Sequence, residues 1–438
     1  MKIYRVLSRM RLILFAILLS VMGQINAQNS LSPGFDAFSP ISFHINPFNH
    51  TDDEILNEIY VNYGLDYGSN HLTPDFIKAV LLKQFIGSAI KDPAAATLKG
   101  QNNTGANSGW ETSYAHMFKD KAGLWSRILF SVAKKQFLSA DYSDDIFRLI
   151  FYGNSGMSGQ QALISPFNYL FLDYYQVKAA YLKALNPSLG PLEISGGLAL
   201  NFGQDYQHID IENGYLFTAA DGTFVDLDWV MQSFHSEVLE GRLMNGFGPS
   251  LDFGLDLKAS GMWHVALQDL GLMNWFNHAI AYKADTSIHW EGLEVNNPFT
   301  SGSIGINVAN LDSAINLAGG HKSIGSKTIL LPWQLNATYK NDIGSNGFSL
   351  LGGISYIHLP AYQPMYYLIG NQSFLNGKMA AEISLSYGGF RRFDTGLRVA
   401  FSDKKQFQIA MGSNSISSFL LPGYFQSGSA FISVGYAF

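Results

Sequence analysis

The sequence has no cysteine among its 438 residues. Disulfides, thiolate nucleophiles and cysteine-ligated metals are excluded from the outset. Charge is scarce as well. Asp, Glu, Lys and Arg make up 14% of the chain, against about 25% in a typical soluble domain. The net charge is −6 and no basic stripe is present, so nucleic acid drops out as a partner. Beyond the first 27 residues there is no run of 18 apolar residues, which excludes a helical membrane protein. Catalytic signatures are missing too: there is no Gly-x-Ser-x-Gly elbow, no His-Glu-x-x-His and no Walker loop. The glycine-rich Gly153–Gly159 stretch lacks the lysine of a phosphate loop and reads as a turn. Neither an enzyme nor a cofactor is expected.

What is present is an export signal and a great deal of aromatic surface. Lys2, Arg5, Arg9 and Arg11 precede the short apolar run Leu12–Gly23, and small Ala27 suits a cleavage position. The run falls short of the roughly 20 residues of a spanning helix. Residues 1–27 are therefore read as a cleaved signal peptide and 28–438 as one exported domain. Its 32 Phe, 22 Tyr and 43 Gly, with little charge, suit a closed sheet facing lipid.

Period-2 alternation carries that reading. Leu251, Phe253, Leu255 and Leu257 alternate with Asp252, Gly254, Asp256 and Lys258. Similar rows run through Ile194–Phe202, Tyr175–Tyr181, Trp333–Lys340, Ala381–Tyr387, Leu397–Phe401 and Phe407–Met411. The chain ends on such a row: Ala430, Ile432, Val434, Tyr436 and Phe438 share one face. That ending resembles the C-terminal signal read by the outer-membrane insertion machinery. The expected fold is all-β: a transmembrane antiparallel barrel of about 14 strands in the outer membrane of a Gram-negative bacterium.

Three segments break the period. Thr73–Lys91 reads as a helix capped by Thr73, with Pro74 first and Asp75 in the opening turn. Ser143–Tyr152 reads as a short helix ending at Gly153, and Val308–Ala318 as a third. Helices cannot sit in the lipid-facing β layer, so they are expected to plug the lumen, lie on the periplasmic side or occupy an extracellular loop. A plug-like region over about 28–100 follows.

Short motifs scattered over most of the chain carry a family resemblance. The stretch Gly246–Trp275, with its Asp269-Leu270-Gly271 and following Trp275, resembles an uncharacterised outer-membrane family, a domain of unknown function of gliding, type IX-secreting bacteria. The Asp144–Asn154 segment and the last two strands resemble it too. The N-terminus departs from it: Ser39-Pro40 and Asn46-Pro47-Phe48 stand where the family has Asn-Pro-Ala. That family is similar in turn to long-chain fatty-acid transporter barrels, which have fourteen strands and an N-terminal hatch, and to barrel subunits of type IX secretion. The resemblance thus implies either a plugged barrel for a small hydrophobic molecule or a scaffold docking a secretion or surface-assembly partner. An outer-membrane hydrolase is a third reading, and it requires a Ser–His pair.

Candidate ligand-binding residues are Phe76, Val80 and Phe85 of the apolar first helix and Asp252, Asp256 and His264 of the lumen face. His264 reads as a buried acid or base beside Asp252 or Asp256, or as an ordinary polar lumen residue. Asp269 reads as a turn former at a strand end in preference to a ligand contact. Arg391-Arg392 reads as a hairpin rim or as a contact to lipopolysaccharide phosphate. Expected partners are outer-membrane lipid and lipopolysaccharide, the barrel-insertion machinery through the strand ending at Phe438, and a hydrophobic ligand or secretion-system partner.

Overall fold

A computed structural model of the chain describes residues 56–81, 84–121, 123–185, 192–236, 244–258, 260–291, 321–343, 348–375, 378–403, 406–421 and 425–438. The signal peptide, the first part of the plug-like region and the helix expected at Val308–Ala318 lie outside them.

Seventeen strands form one sheet among the described residues. They are β1 (Leu56–Ser69), β2 (Gln101–Lys119), β3 (Trp125–Ser143), β4 (Gln161–Leu163), β5 (Phe167–Leu185), β6 (Leu192–Thr218), β7 (Phe224–His235), β8 (Gly246–Lys258) and β9 (Met262–Glu291). After these come β10 (His321–Leu330), β11 (Gln334–Ile343), β12 (Phe348–Ile357), β13 (Gln363–Phe374), β14 (Met379–Gly389), β15 (Arg391–Ser402), β16 (Phe407–Ser413) and β17 (Ser427–Ala437). Every pairing between named strands is antiparallel, and β1 closes the ring on β17, with Glu58 opposite Ala437 and Gly68 opposite Ser427. Closure removes the free edges that an open sheet of this size would expose.

The strand list shortens to fourteen staves. β7 and β8 both pair with β6, meeting it end to end at Gln207 and Gly203. β10 and β11 likewise share β9, with Leu330 opposite Leu272 and Gln334 opposite Gln268. Each of these pairs is one interrupted stave. Three-residue β4 is an addition to the end of β6. Setting β4 aside and merging the two pairs leaves the expected fourteen, an even number, as antiparallel closure demands.

The two ends differ. At the end holding Leu56 and Phe438, no connection exceeds six residues. At the far end the connections include 31 residues after β1, 29 after β9 and 13 after β16. No helix among the described residues is long and apolar enough to cross a membrane.

Face assignment follows the alternation. Leu251, Phe253 and Leu255 are exposed outward, whereas Asp252 and Asp256 are buried inside. On the last strand Ala430, Ile432, Tyr436 and Phe438 are exposed, and Phe431, Ser433 and Ala437 are buried. Outward aromatics ring both ends of the β13–β15 wall. Tyr366, Tyr387 and Phe393 pair side by side toward the far end, and Phe374 and Phe401 mark the terminal end. Eight residues separate Tyr366 from Phe374, roughly 27 Å of strand before tilt, which suits an apolar band about 25 Å tall.

The helices gather at the far end. The segment expected as one helix is two, α1 (Pro74–Leu81) and α2 (Ser88–Ala96). Gly87, extended at φ −78° and ψ 177°, separates them. Thr73 Oγ1 accepts from Phe76 N at 3.3 Å, the cap that the sequence promised. α3 (Asp144–Tyr152) takes its cap from Ser143 and stops at Gly153, which has φ +80°. These helices pack on Ala140 and Tyr142 of β3 and on Phe167 and Tyr169 of β5. Unbroken pairing with β2 and β5 places Ala140 and Tyr142 on the same strand face as Phe130 and Val132, which point outward. The helical cap therefore clasps the outer face of the wall beyond its apolar band.

Candidate functional site

The lumen divides into two layers. Toward the terminal end it is lined by paired charges. Arg127 of β3 donates to Glu58 of β1, both buried. Arg398 meets Glu382 at 2.9 Å. His264 Nδ1 lies 2.5 Å from Asp256 Oδ1 across the β8–β9 hairpin. Lys178 pairs with Asp252, and Lys135 Nζ donates to both carboxylate oxygens of Asp269 at 2.8 and 2.7 Å.

Asp269 is the hub. It sits inside β9, seven residues after Met262 and not at a turn, which corrects the turn-former expectation. Its φ is +59°, a region Asp tolerates better than most residues because its side chain bonds locally. The β8–β9 register shifts between Leu251 and Phe253, and the shift turns both Gln268 and Asp269 inward. There the Asp269 amide donates to Asp252 Oδ1 at 2.8 Å, and Gln176 Nε2 donates to Asp269 Oδ1 at 2.8 Å. Two lysines and two aspartates balance in a site closed to solvent, so each charge has the partner that burial requires.

Beyond this layer the lumen turns apolar. Phe137, Leu172, Tyr174, Tyr206, Phe234, Met273, Trp275, Leu331, Ile357, Leu359, Tyr362 and Phe390 form one buried cluster. These residues come from opposite walls. The β12–β13 connection folds across the lumen, so that Ser139 of β3 donates to the Pro360 carbonyl. Asn103 Nδ2 reaches the Ala361 carbonyl at 3.4 Å. Tyr206 stacks on Trp275 with centroids 5.4 Å apart, a geometry worth about 0.5–1.5 kcal/mol beyond area burial. Phe390 lies so close to Gly105 that a Cβ built there would be 2.2 Å from its ring, which requires glycine.

A cavity of about 360 Å³ opens beside this cluster. Leu170, Leu172 and Tyr206 line one side; Ile329, Leu330 and Pro332 line another; Tyr356, Leu359 and Pro360 close it, with Asn168 and His358 as polar groups. Leu330 pairs with Leu272 and both are exposed on the outer face. The cavity thus runs from the lumen to the break in the β10–β11 stave at Leu331-Pro332-Trp333. Proline explains that break, because it has no N–H for the ladder.

The residues singled out from sequence fall in separate places. Asp252, Asp256 and His264 are in the charged layer. Phe76 is buried in the helical cap, Val80 is partly buried there, and Phe85 is 86% exposed. Arg391 is buried, bound to Asp66 and Asp394, whereas Arg392 is exposed. None of these lines the cavity. Its apolar lining was missed because Phe171-Leu172 and Tyr174-Tyr175 are apolar on both faces, so alternation gives no sign there.

Fold and lumen together define a transmembrane β-barrel whose interior is blocked by side chains. Residues 55–414 match the family of unknown function DUF5723, and the chain belongs to that family. No curated protein matches. Among solved structures, the chain is similar to a Pseudomonas aeruginosa FadL homologue at 9% identity and a TM-score of 0.39, over 90% of this chain and 93% of that one. It is similar to the Pseudomonas putida toluene transporter TodX at 8% and 0.39, over 93% and 92%. The translocator domain of the autotransporter NalP from Neisseria meningitidis follows at 9% and 0.28, over 94% and 99%. Likenesses this distant carry nothing about function.

Proposed function

We propose that this chain is an outer-membrane barrel that binds a small hydrophobic molecule and lets it pass. The observation that carries the reading is the apolar cavity of about 360 Å³ beside the blocked layer. Its size lies in the range of small-molecule sites, and its mostly apolar lining with a few polar groups has their usual character. A simple aqueous pore is disfavoured by the packed cluster spanning the lumen.

The outer membrane is the setting that suits a closed barrel with an apolar outer band. Short turns at the terminal end then face the periplasm, and the helical cap is extracellular. Lipid and lipopolysaccharide are the neighbours of the outer face. The exposed row ending at Phe438 supports recognition by the insertion machinery. Export through a cleaved signal peptide and an origin in a gliding, type IX-secreting bacterium belong to the same proposal, and both rest on sequence alone.

The test is binding of an apolar fluorophore, N-phenylnaphthylamine, by the purified barrel. Ile329 lines the cavity and is only partly buried, so Ile329→Trp fills it. Binding weakened at least tenfold in the variant is expected, and equal binding rejects the site.

A further inference from the structure

One stave of the barrel is incomplete. β16 ends at Ser413, opposite Leu397, and its pairing with β17 ends at Gly412 opposite Phe431. The neighbours continue: β15 pairs with β14 as far as Arg391, and β17 pairs with β1 as far as Ser427. Among the described residues no strand runs between the upper parts of β15 and β17. A five-residue helix, α4 (Ile416–Leu420), and the residues before it contact both strands instead.

The sequence explains the switch. Phe407, Ile409 and Met411 point outward, so a strand continued beyond Ser413 would turn Ser415 and Ser417 toward lipid. Leaving the strand reverses this. The hydroxyls of Ser415, Ser417 and Ser427 all donate to the buried Asp394 carboxylate, which Arg391 also holds at 3.2 Å. Asn414 N and Ser415 N bond to the hydroxyls of Ser429 and Ser413. Side-chain hydroxyls here replace the backbone ladder. On the other side Phe419, Leu420 and Leu421 are 65%, 72% and 52% exposed. They follow the gap at the height of the outward belt Tyr387–Phe393.

We propose that residues 414–421 are a panel of the barrel wall with two partners: the Asp394 latch on the lumen side and bilayer lipid on the outside. Phe419, Leu420 and Leu421 insert at the boundary between acyl chains and headgroups. Irregular backbone is excluded from the hydrocarbon centre but tolerated at that boundary, where hydroxyls and headgroups satisfy it. The inference rests on the membrane reading of the outer face and goes beyond it, because it assigns lipid to a segment that is not a strand.

The chain has no cysteine, so single nitroxide labels can be placed freely on the full protein in phosphatidylcholine vesicles. Collision with oxygen and with a water-soluble nickel chelate is compared at Leu420→Cys, Ile432→Cys and Phe85→Cys. The proposal expects the Leu420 label to favour oxygen several-fold over the Phe85 label, as the Ile432 label does. A Leu420 label as open to nickel as that at Phe85 overturns it. Nickel access at Ile432 too overturns the membrane reading itself. Asp394→Asn should then mobilise the Leu420 label and leave the Ile432 label unchanged. Should that variant not assemble, Ser417→Ala removes one latch bond and decides the point. An unchanged Leu420 spectrum refutes the latch.

Discussion

The two layers of the lumen solve one problem in opposite ways. Both are closed to water. The terminal layer keeps its charges in pairs: Glu58 with Arg127, Glu382 with Arg398, Asp252 and Asp269 with Lys135 and Lys178. The middle layer fills the section with rings and aliphatic side chains. A matched charge set is specific but brittle, since removing one member strands its partner in a low dielectric. An apolar layer loses stability in proportion to the volume removed.

The largest expected effect tests the first half. Asp269→Ala leaves Lys135 without its near carboxylate and Lys178 with only one. A loss of about 3–5 kcal/mol in urea unfolding from vesicles is expected. A loss below about 1 kcal/mol would show that water enters the layer, and the comparison would break. The next effect tests the other half. Leu172 is fully buried and also lines the cavity. Leu172→Ala should cost about 2–4 kcal/mol, and it should raise permeability to apolar dyes. Destabilisation without any change in permeability would separate the cluster from the barrier.

How much of this was legible depends on the range of the signal. Alternation is local, so Leu251 and Asp252 reveal their faces from their neighbours alone. The alternating strands, the capped α3 and the inward Asp256 and His264 follow from such local signals. The hub does not. Lys135 and Asp269 are 134 positions apart, and only closure of the ring brings them together. Asp269 looked like a turn because Asp before Leu-Gly usually is one; a bulge inside a 30-residue strand leaves the same local trace. The split of α1 from α2 had a visible sign in Gly87. The incomplete stave had one too, in Ser413–Ser418, where the apolar row stops.

His71 sharpens the comparison by a third route, since it is a buried polar group neither paired with an opposite charge nor replaced by an apolar one. It lies in the helical cap, beyond the strands. Its Nε2 is 2.6 Å from the Tyr142 hydroxyl and its Nδ1 is 3.4 Å from the Ala94 carbonyl. The Phe147 ring stands edge-on to it with centroids 5.1 Å apart. The carbonyl accepts a hydrogen bond from Nδ1–H, and Nε2 accepts from the tyrosine hydroxyl, which is the neutral tautomer of the ring. Burial pushes its pKa down from 6.5 to about 4. A group depressed in this way binds its proton in the unfolded cap before the folded one. Stability is therefore full above pH 6.5 and falls as the pH drops toward 4. At pH 5 the loss is about 2 kcal/mol, from 1.36 kcal/mol per unit. It should appear as faster amide exchange in α1 and α2 while the barrel strands hold. His71→Phe should abolish the pH dependence, and a cap that still loosened on acidification in that variant would move the titrating group elsewhere.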